Sequence, residues 1–174
     1  EACSHEGAGA VAGVCKGAGM IHPDMATMLA FVGTDLAIPL DELRAAMPRL
    51  AAASFNAVHV DTHPSTNDTF FLFATGKKPL EGDFRPTVTK VCRRLAWLIA
   101  RDGEGATKVT TIDIRGASSD AAARAIADKV ASSALVRTAL FGNDPNWGRF
   151  VSQVGNSREV KSVEGLRCTL QGTT

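Results

Sequence analysis

The sequence has no tyrosine, no initiator methionine, no closely spaced cysteines and no long apolar run. Each absence excludes something. No stretch approaches the roughly 20 apolar residues that span a bilayer, and nothing resembles a signal peptide, so no membrane partner is expected. Cys3, Cys15, Cys92 and Cys168 never fall at Cys-x-x-Cys spacing. That argues against a disulfide framework or a structural zinc site, and for reduced thiols in the cytoplasm. An excess of either charge is also missing: charged residues make up 21% and the net charge is +1. Such a balance carries no footprint for nucleic acid and leaves a small polar metabolite as the natural partner. The chain opens at Glu1, and we read it as a piece of something longer.

What is present suffices for one globular unit, since 174 residues at 45% hydrophobic can bury a substantial core. Val11–Cys15 and Leu29–Gly33 read as buried strands. Leu40, Leu43, Ala46, Met47 and Leu50 share one helical face, with Pro48 a complication. Asn56–Asp61 alternates as a strand, the dense polar turn His63–Asp68 follows, and Phe70–Ala74 is apolar. Gly76–Arg85 reads as a loop, and Thr87–Arg101 as an amphipathic helix built on Val88, Val91, Leu95, Leu98 and Ile99. Strands are expected at Lys108–Ile114, Phe150–Val154 and Leu166–Leu170. Ser118-Ser119-Asp120 caps a helix running to about Ser132. No linker divides the chain. The order of elements predicts an α/β domain of mixed α+β layers.

The chemistry concentrates at Lys16-Gly17-Ala18-Gly19-Met20-Ile21-His22-Pro23-Asp24-Met25-Ala26-Thr27-Met28-Leu29. A threonine hydroxyl is a poor nucleophile unless a base takes its proton. Making the same residue N-terminal supplies that base as its own α-amine, with an ordinary pKa of about 7.7–8.0. The hydroxyl can open the bond itself by attacking the Ala26 carbonyl, giving an ester that water hydrolyses. A threonine at the start of a strand is also common with no such role.

This segment resembles the signature of the ornithine acetyltransferase family, the glutamate N-acetyltransferases of arginine biosynthesis. The resemblance continues through Ser54-Phe55-Asn56, Val60-Asp61 and Ser65-Thr66-Asn67-Asp68-Thr69. It returns at Arg101-Asp102-Gly103-Glu104-Gly105-Ala106-Thr107-Lys108, Leu135-Val136-Arg137-Thr138-Ala139 and Gly142-Asn143-Asp144-Pro145-Asn146-Trp147-Gly148-Arg149. The blocks stand in the family's order and cover most of the chain.

The resemblance implies an autoprocessed fold of the N-terminal-nucleophile type, with Thr27 as nucleophile and Ala26–Thr27 as the cleavage site. Residues 1–26 would then end an α chain and 27–174 belong to a β chain, together one unit incomplete at both ends. Lys16 and Glu104 match substrate-binding residues, and a cation with an anion suits a donor carrying a carboxylate and an ammonium. The implied reaction moves acetyl from N-acetylornithine to Thr27 and then to glutamate. No cofactor is implied, although some members also take acetyl-CoA as co-substrate. Paired α and β chains, doubled into a heterotetramer, are the implied assembly. In the family an upstream Thr-Gly pair stabilises the oxyanion. This chain has no counterpart before Thr27, so no residue is assigned that role.

Other readings compete. An N-terminal-nucleophile amidase or aminopeptidase would use the same threonine, and a non-catalytic fragment would use none. The lack of tyrosine agrees with loss of the family's Asn/Tyr-rich ending. His59, Asp61 and His63, at period two, would share a strand face as a zinc set. The family usually reads Val-Asp-Gly-Asp-Thr-Ser-Thr-Asn-Asp here, so His63 and Pro64 depart from it. Pro64 favours a hydrogen-bonded turn, and we expect no metal. Gly7–Ala12 matches a dinucleotide fingerprint only loosely. The Asn143–Arg149 loop is expected to be architectural, with Trp147 buried and Asp144 or Asn146 bonding backbone.

Overall fold

Alternation decides which face of the main sheet is covered. The computed structural model describes residues 2–4, 9–22 and 25–170, with backbone alone for 2–4 and 25–26. Strand β1 spans Ala2–Ser4, β2 Ala10–Lys16, β3 Ile21–His22, β4 Met25–Ala26, β5 Leu29–Leu36 and β6 Thr69–Lys78. Strand β5 buries Ala30, Val32, Thr34 and Leu36 and turns Phe31 to the opposite side, as a period of two requires. Four strands form a sheet in the order β1-β2-β5-β6. Neighbours are antiparallel except β5 and β6, which run parallel with Leu29 opposite Thr69. A parallel pair needs a crossover, and helix α1 (Leu40–Ala52) lies in it.

Helix α2 (Arg85–Arg101) buries Val88, Val91, Cys92, Leu95, Ala96 and Ile99, a continuous apolar face at helical spacing. With Leu43, Ala46 and Leu50 of α1 it closes the core over Val11, Ala30, Val32 and Leu36. Burial pushes the Cys92 thiol up to about 12, so it is an inert core thiol. Pro48 sits inside α1 without ending it, and Leu40, expected on the buried face, is exposed. The outer sheet face carries Val14 and a stack of Phe31, Phe71 and Phe73, with centroids 5.3 and 5.8 Å apart.

By contacts the chain divides into two compact units, Glu1–Val109 and Thr110–Thr174. The second is helical: α3 (Asp120–Ala131), α4 (Ala134–Phe141) and α5 (Trp147–Gly155). Ser119 caps α3 by accepting from the Ala122 N–H at 3.1 Å, and Ser133 caps α4 by accepting from Val136. Val130, Val136 and Phe150 form its core.

Several expected elements are corrected. Phe150–Val154 lies inside helix α5, because Phe150 and Val154, four residues apart, both reach the apolar cluster with α3 and α4. Lys108–Ile114 and Leu166–Leu170 are not strands: among the described residues no strand forms a ladder with either, and alternation alone supplies no backbone hydrogen bonds. Asn56–Asp61 is a 3-10 turn, Phe55–Ala57, followed by irregular chain. The loop expected from Gly76 starts later, as β6 runs on to Lys78. Trp147 is 64% exposed, not buried, and Asn146 bonds the Asp144 carboxylate through its side chain at 3.2 Å. Of the dinucleotide-like stretch, Gly7 and Ala8 lie outside the described residues, and Ala10 onward enters a strand instead of a helix. Among the described residues no helix is long and apolar enough to cross a membrane.

Candidate active site

One end of the sheet gathers Lys16, Thr27 and Glu104, with the backbone of Ala26. Strand β2 stops at Lys16, which stands opposite Leu29 at the start of β5. Between them the chain must reverse within a dozen residues. Gly17 adopts φ 154°, Met20 adopts the left-handed φ 54°, and the two-residue strands β3 and β4 form a miniature hairpin pairing Ile21 with Ala26. A non-glycine residue in the left-handed region costs of order 1–3 kcal/mol, which the surrounding bonds must hold. The Ala26–Thr27 bond follows directly on this hairpin. The Thr27 N–H donates to the Met20 carbonyl at 2.8 Å, closing the loop on itself. The Thr27 hydroxyl oxygen is buried, with no hydrogen-bond partner among the described residues.

Glu104 arrives by another route. Helix α2 is 17 residues long, about 25 Å at 1.5 Å per residue, and runs against β2 in the core. The turn after it brings the Glu104 N–H to the Ala18 carbonyl at 2.8 Å. The Glu104 carboxylate lies against Gly19 so closely that a Cβ there would sit 2.8 Å from Oε2. Lys16 and Glu104 are both exposed, as groups that meet a soluble ligand should be. The structure thus brings Lys16, Thr27 and Glu104 to one sheet end, and Ala26 with them through its backbone.

Two aspartates hold this loop in place; the sequence offered Asp68 only within a motif and Asp61 within a motif and as a candidate zinc ligand. Asp61 accepts from the N–H groups of Met20, Ile21 and His63, the last two at 3.1 Å. Asp68 accepts from the Met28 N–H at 3.1 Å, and the Thr69 N–H donates to the Met28 carbonyl at 3.1 Å. These bonds share one offset at two places: Met20 and Ile21 meet Asp61, and Met28 meets Asp68 and Thr69, each about 40 positions apart, the second beside the parallel register that pairs Leu29 with Thr69. An offset of that kind leaves no trace in local periodicity.

The strand that would have aligned His59, Asp61 and His63 is not there. His63 instead folds back on Asp61, its Nδ1 lying 2.9 Å from the Asp61 carbonyl oxygen, and His59 meets the ring of His22 edge-on at 5.1 Å. Among the described residues no group of three or more His, Cys, Asp or Glu is placed to hold a metal ion. Cys15, Cys92 and Cys168 are free, and the side chain of Cys3 lies outside the described residues.

Burial pushes the Asp61 carboxyl upward, but the N–H groups of His63, Met20 and Ile21 outweigh it and hold the carboxyl below its usual range. A carboxyl lowered by folding stabilises above its unfolded value of about 3.9, and that contribution is lost as pH falls through the lower folded value. We therefore expect Asp61→Ala to lower stability by about 2 kcal/mol at neutral pH and to flatten the acid limb of stability against pH. Urea melts of both proteins between pH 2 and 7 check this, and parallel acid limbs would refute it.

The ArgJ family model matches residues 2–173. The arginine biosynthesis bifunctional protein ArgJ of Lactococcus lactis is 47% identical over 165 residues, covering 88% of this chain and 42% of that sequence. Its counterpart from Thermus thermophilus is 47% identical over 165 residues, covering 93% and 43%. The crystal structure of ArgJ from Bacillus halodurans superposes with a TM-score of 0.72 at 38% identity, over 76% of this chain and 66% of that one. The chain spans less than half the length of these curated relatives, whereas the solved polypeptide is filled to two thirds by a shorter match. The mixed α/β layers expected from the sequence are those of the solved fold, and on these matches the chain belongs to the ArgJ family.

Proposed function

We propose that this chain carries the nucleophile of a glutamate N-acetyltransferase of arginine biosynthesis, and that Thr27 is unmasked by cleavage of its own Ala26–Thr27 bond. The carrying observation is the convergence of Lys16, Thr27 and Glu104 on one sheet end within an ArgJ-family chain. In the cleavage step Thr27 Oγ1 attacks the Ala26 carbonyl carbon, the carbon–nitrogen bond breaks, and the amine takes the proton. Water then hydrolyses the ester. In turnover the freed amine takes the hydroxyl proton while Oγ1 accepts acetyl from N-acetylornithine and ornithine leaves. The glutamate amine then attacks the acetyl ester and regenerates Thr27.

Lys16 and Glu104 supply one cation and one anion to orient a substrate bearing both charges. Residues 1–26 end the α chain and 27–174 belong to the β chain, the two remaining associated and doubling into a heterotetramer. The solved relative's polypeptide, shorter than the curated full sequences, supports separate chains. In members that also take acetyl-CoA it would serve as a second donor in the same step, and the reaction belongs to the cytoplasm.

The test uses full-length protein incubated with N-acetylornithine, then quenched and digested. A peptide beginning at Thr27 and carrying one acetyl ester is expected, discharged quickly by glutamate and slowly by water. Equal discharge by water would make the protein a hydrolase instead. Gly19→Ala refines the assignment of Glu104: the added methyl must displace its carboxylate, a flexible group, so cleavage should proceed while KM for N-acetylornithine rises about tenfold, the equivalent of 1.4 kcal/mol. An unchanged KM would remove Glu104 from substrate binding.

A further inference from the structure

We propose that Asp68 is the positioning residue for the amino group that cleavage creates at Thr27, with its Oδ2 as the waiting acceptor. The inference rests on the cleavage reading above and deepens it. Two side-chain oxygens at this end of the sheet are buried without a hydrogen-bond partner among the described residues, Thr27 Oγ1 and Asp68 Oδ2. They belong to facing segments. Asp68 brackets Met28, its Oδ1 taking the Met28 N–H while the next residue, Thr69, donates to the Met28 carbonyl. Consecutive Cα atoms are only about 3.8 Å apart, so a carboxylate bonded at Met28 stands within one residue of Thr27.

A buried carboxylate oxygen with no donor is costly and calls for a reason. In the uncut chain the Thr27 main chain has no donor to spare, because its one N–H is spent on the Met20 carbonyl, and its hydroxyl, the attacking group, has no partner among the described residues. Cleavage changes the count. The amide nitrogen becomes an amino group with up to three donors, freed from the Ala26 carbonyl and able to turn. Met20 can keep one donor, and Asp68 Oδ2 is the buried acceptor beside the others. Held there, the amine stays next to its own hydroxyl, where it must act as base. Burial also raises the Asp68 carboxyl, countered only by the Met28 N–H, as expected of a group whose charge lacks its final partner.

A carboxylate beside an amine favours the protonated amine, so Asp68 sets the pH below which Thr27 loses its base. Other titratable groups around this end of the sheet are Lys16 on β2, His22 on β3, His59, Asp61 and His63 before β6, and Glu104 after α2. All are shared by parent and variant, so a difference between the two isolates Asp68.

The experiment compares full-length parent, Asp68→Asn and Asp68→Glu, each checked for cleavage by intact mass and for folding by thermal melt. Asp68→Asn keeps an oxygen for the Met28 N–H and removes the charge. It should cleave, and the acid limb of its kcat/KM profile for acetyl transfer should move to lower pH by about one unit, with Asp68→Glu returning it toward the parent. An acid limb unmoved in cleaved Asp68→Asn, with activity merely scaled at every pH, would overturn the proposal. So would failure of folded Asp68→Asn to cleave, since the residue would then act before the amine exists. If Asp68→Asn does not fold, the Thr27 amine of the cleaved parent is titrated directly by 15N NMR, and an amine that titrates no higher than an ordinary α-amine, about 7.7–8.0, would overturn the proposal as well. Failure of the underlying reading looks different, because there the parent itself stays uncut or transfers no acetyl.

Discussion

Full-length protein carrying Thr27→Ala should stay in one piece, with acetyl transfer reduced by about four orders of magnitude or more. Removing an attacking oxygen leaves neither the self-cleavage nor the acetyl ester any atom to form on. The same substitution should cost the fold almost nothing. Thr27 Oγ1 is buried with no partner among the described residues, and deleting an unsatisfied buried hydroxyl removes a penalty instead of a bond. The variant is therefore expected to melt at or slightly above the temperature of uncut parent. Intact mass, a transfer assay and a thermal melt read the three consequences separately. Thr27→Ser should retain partial cleavage, because it keeps the oxygen and loses only the methyl that helps fix its rotamer. Cleavage of the alanine variant would end the argument for this bond.

Gly17→Ala should slow cleavage by about tenfold without touching any reacting group. Gly17 holds φ 154°, a conformation that side chains rarely adopt, and its missing Cβ would lie 3.1 Å from the Thr27 carbonyl oxygen. It would also meet Met28 Cβ at 3.2 Å and Ile21 Cδ1 at 3.3 Å. The first of these neighbours is backbone and cannot swing aside. Relief has to come from moving the Thr27 segment or from bearing a strain of about 1–3 kcal/mol. A displacement of about 1 Å at a reacting centre costs about two orders of magnitude in rate, and contacts of 3.1–3.3 Å ask for a fraction of that shift, hence about one order. Cleavage followed by mass over time should show a slow but complete reaction, with a lowered melting temperature. Cleavage at the parent's rate would mean that the β2–β3 turn does not position the bond.

Much of the scaffold could be read before the structure. Helices α1, α2 and α3 follow from apolar spacing and from the Ser119 cap, since these are short-range features that each segment carries alone. The misread segments share a cause. Phe150–Val154 is rich in residues that favour strands, yet it is a helix because Phe150 and Val154 complete a core with α3 and α4. Asn56–Asp61 alternates convincingly, yet its aspartate turns to cap the loop at Met20 and Ile21. Packing outside the window overrode propensity inside it.

The site divides along the same line. The Ala26–Thr27 bond could be argued as chemistry within one short segment, whereas Lys16 and Glu104 entered only through the family resemblance. The supporting pair, Asp61 and Asp68, depends on contacts between positions about 40 residues apart, the second beside the start of the parallel β5–β6 register. Glu104 reaches Ala18 because the 17-residue helix α2 carries the chain back along the sheet. Periodicity and capping are local energies, written residue by residue and so readable in the sequence. Register and helix return come from burying a shared core at least cost, a sum over the whole unit, and only the folded chain displays its result.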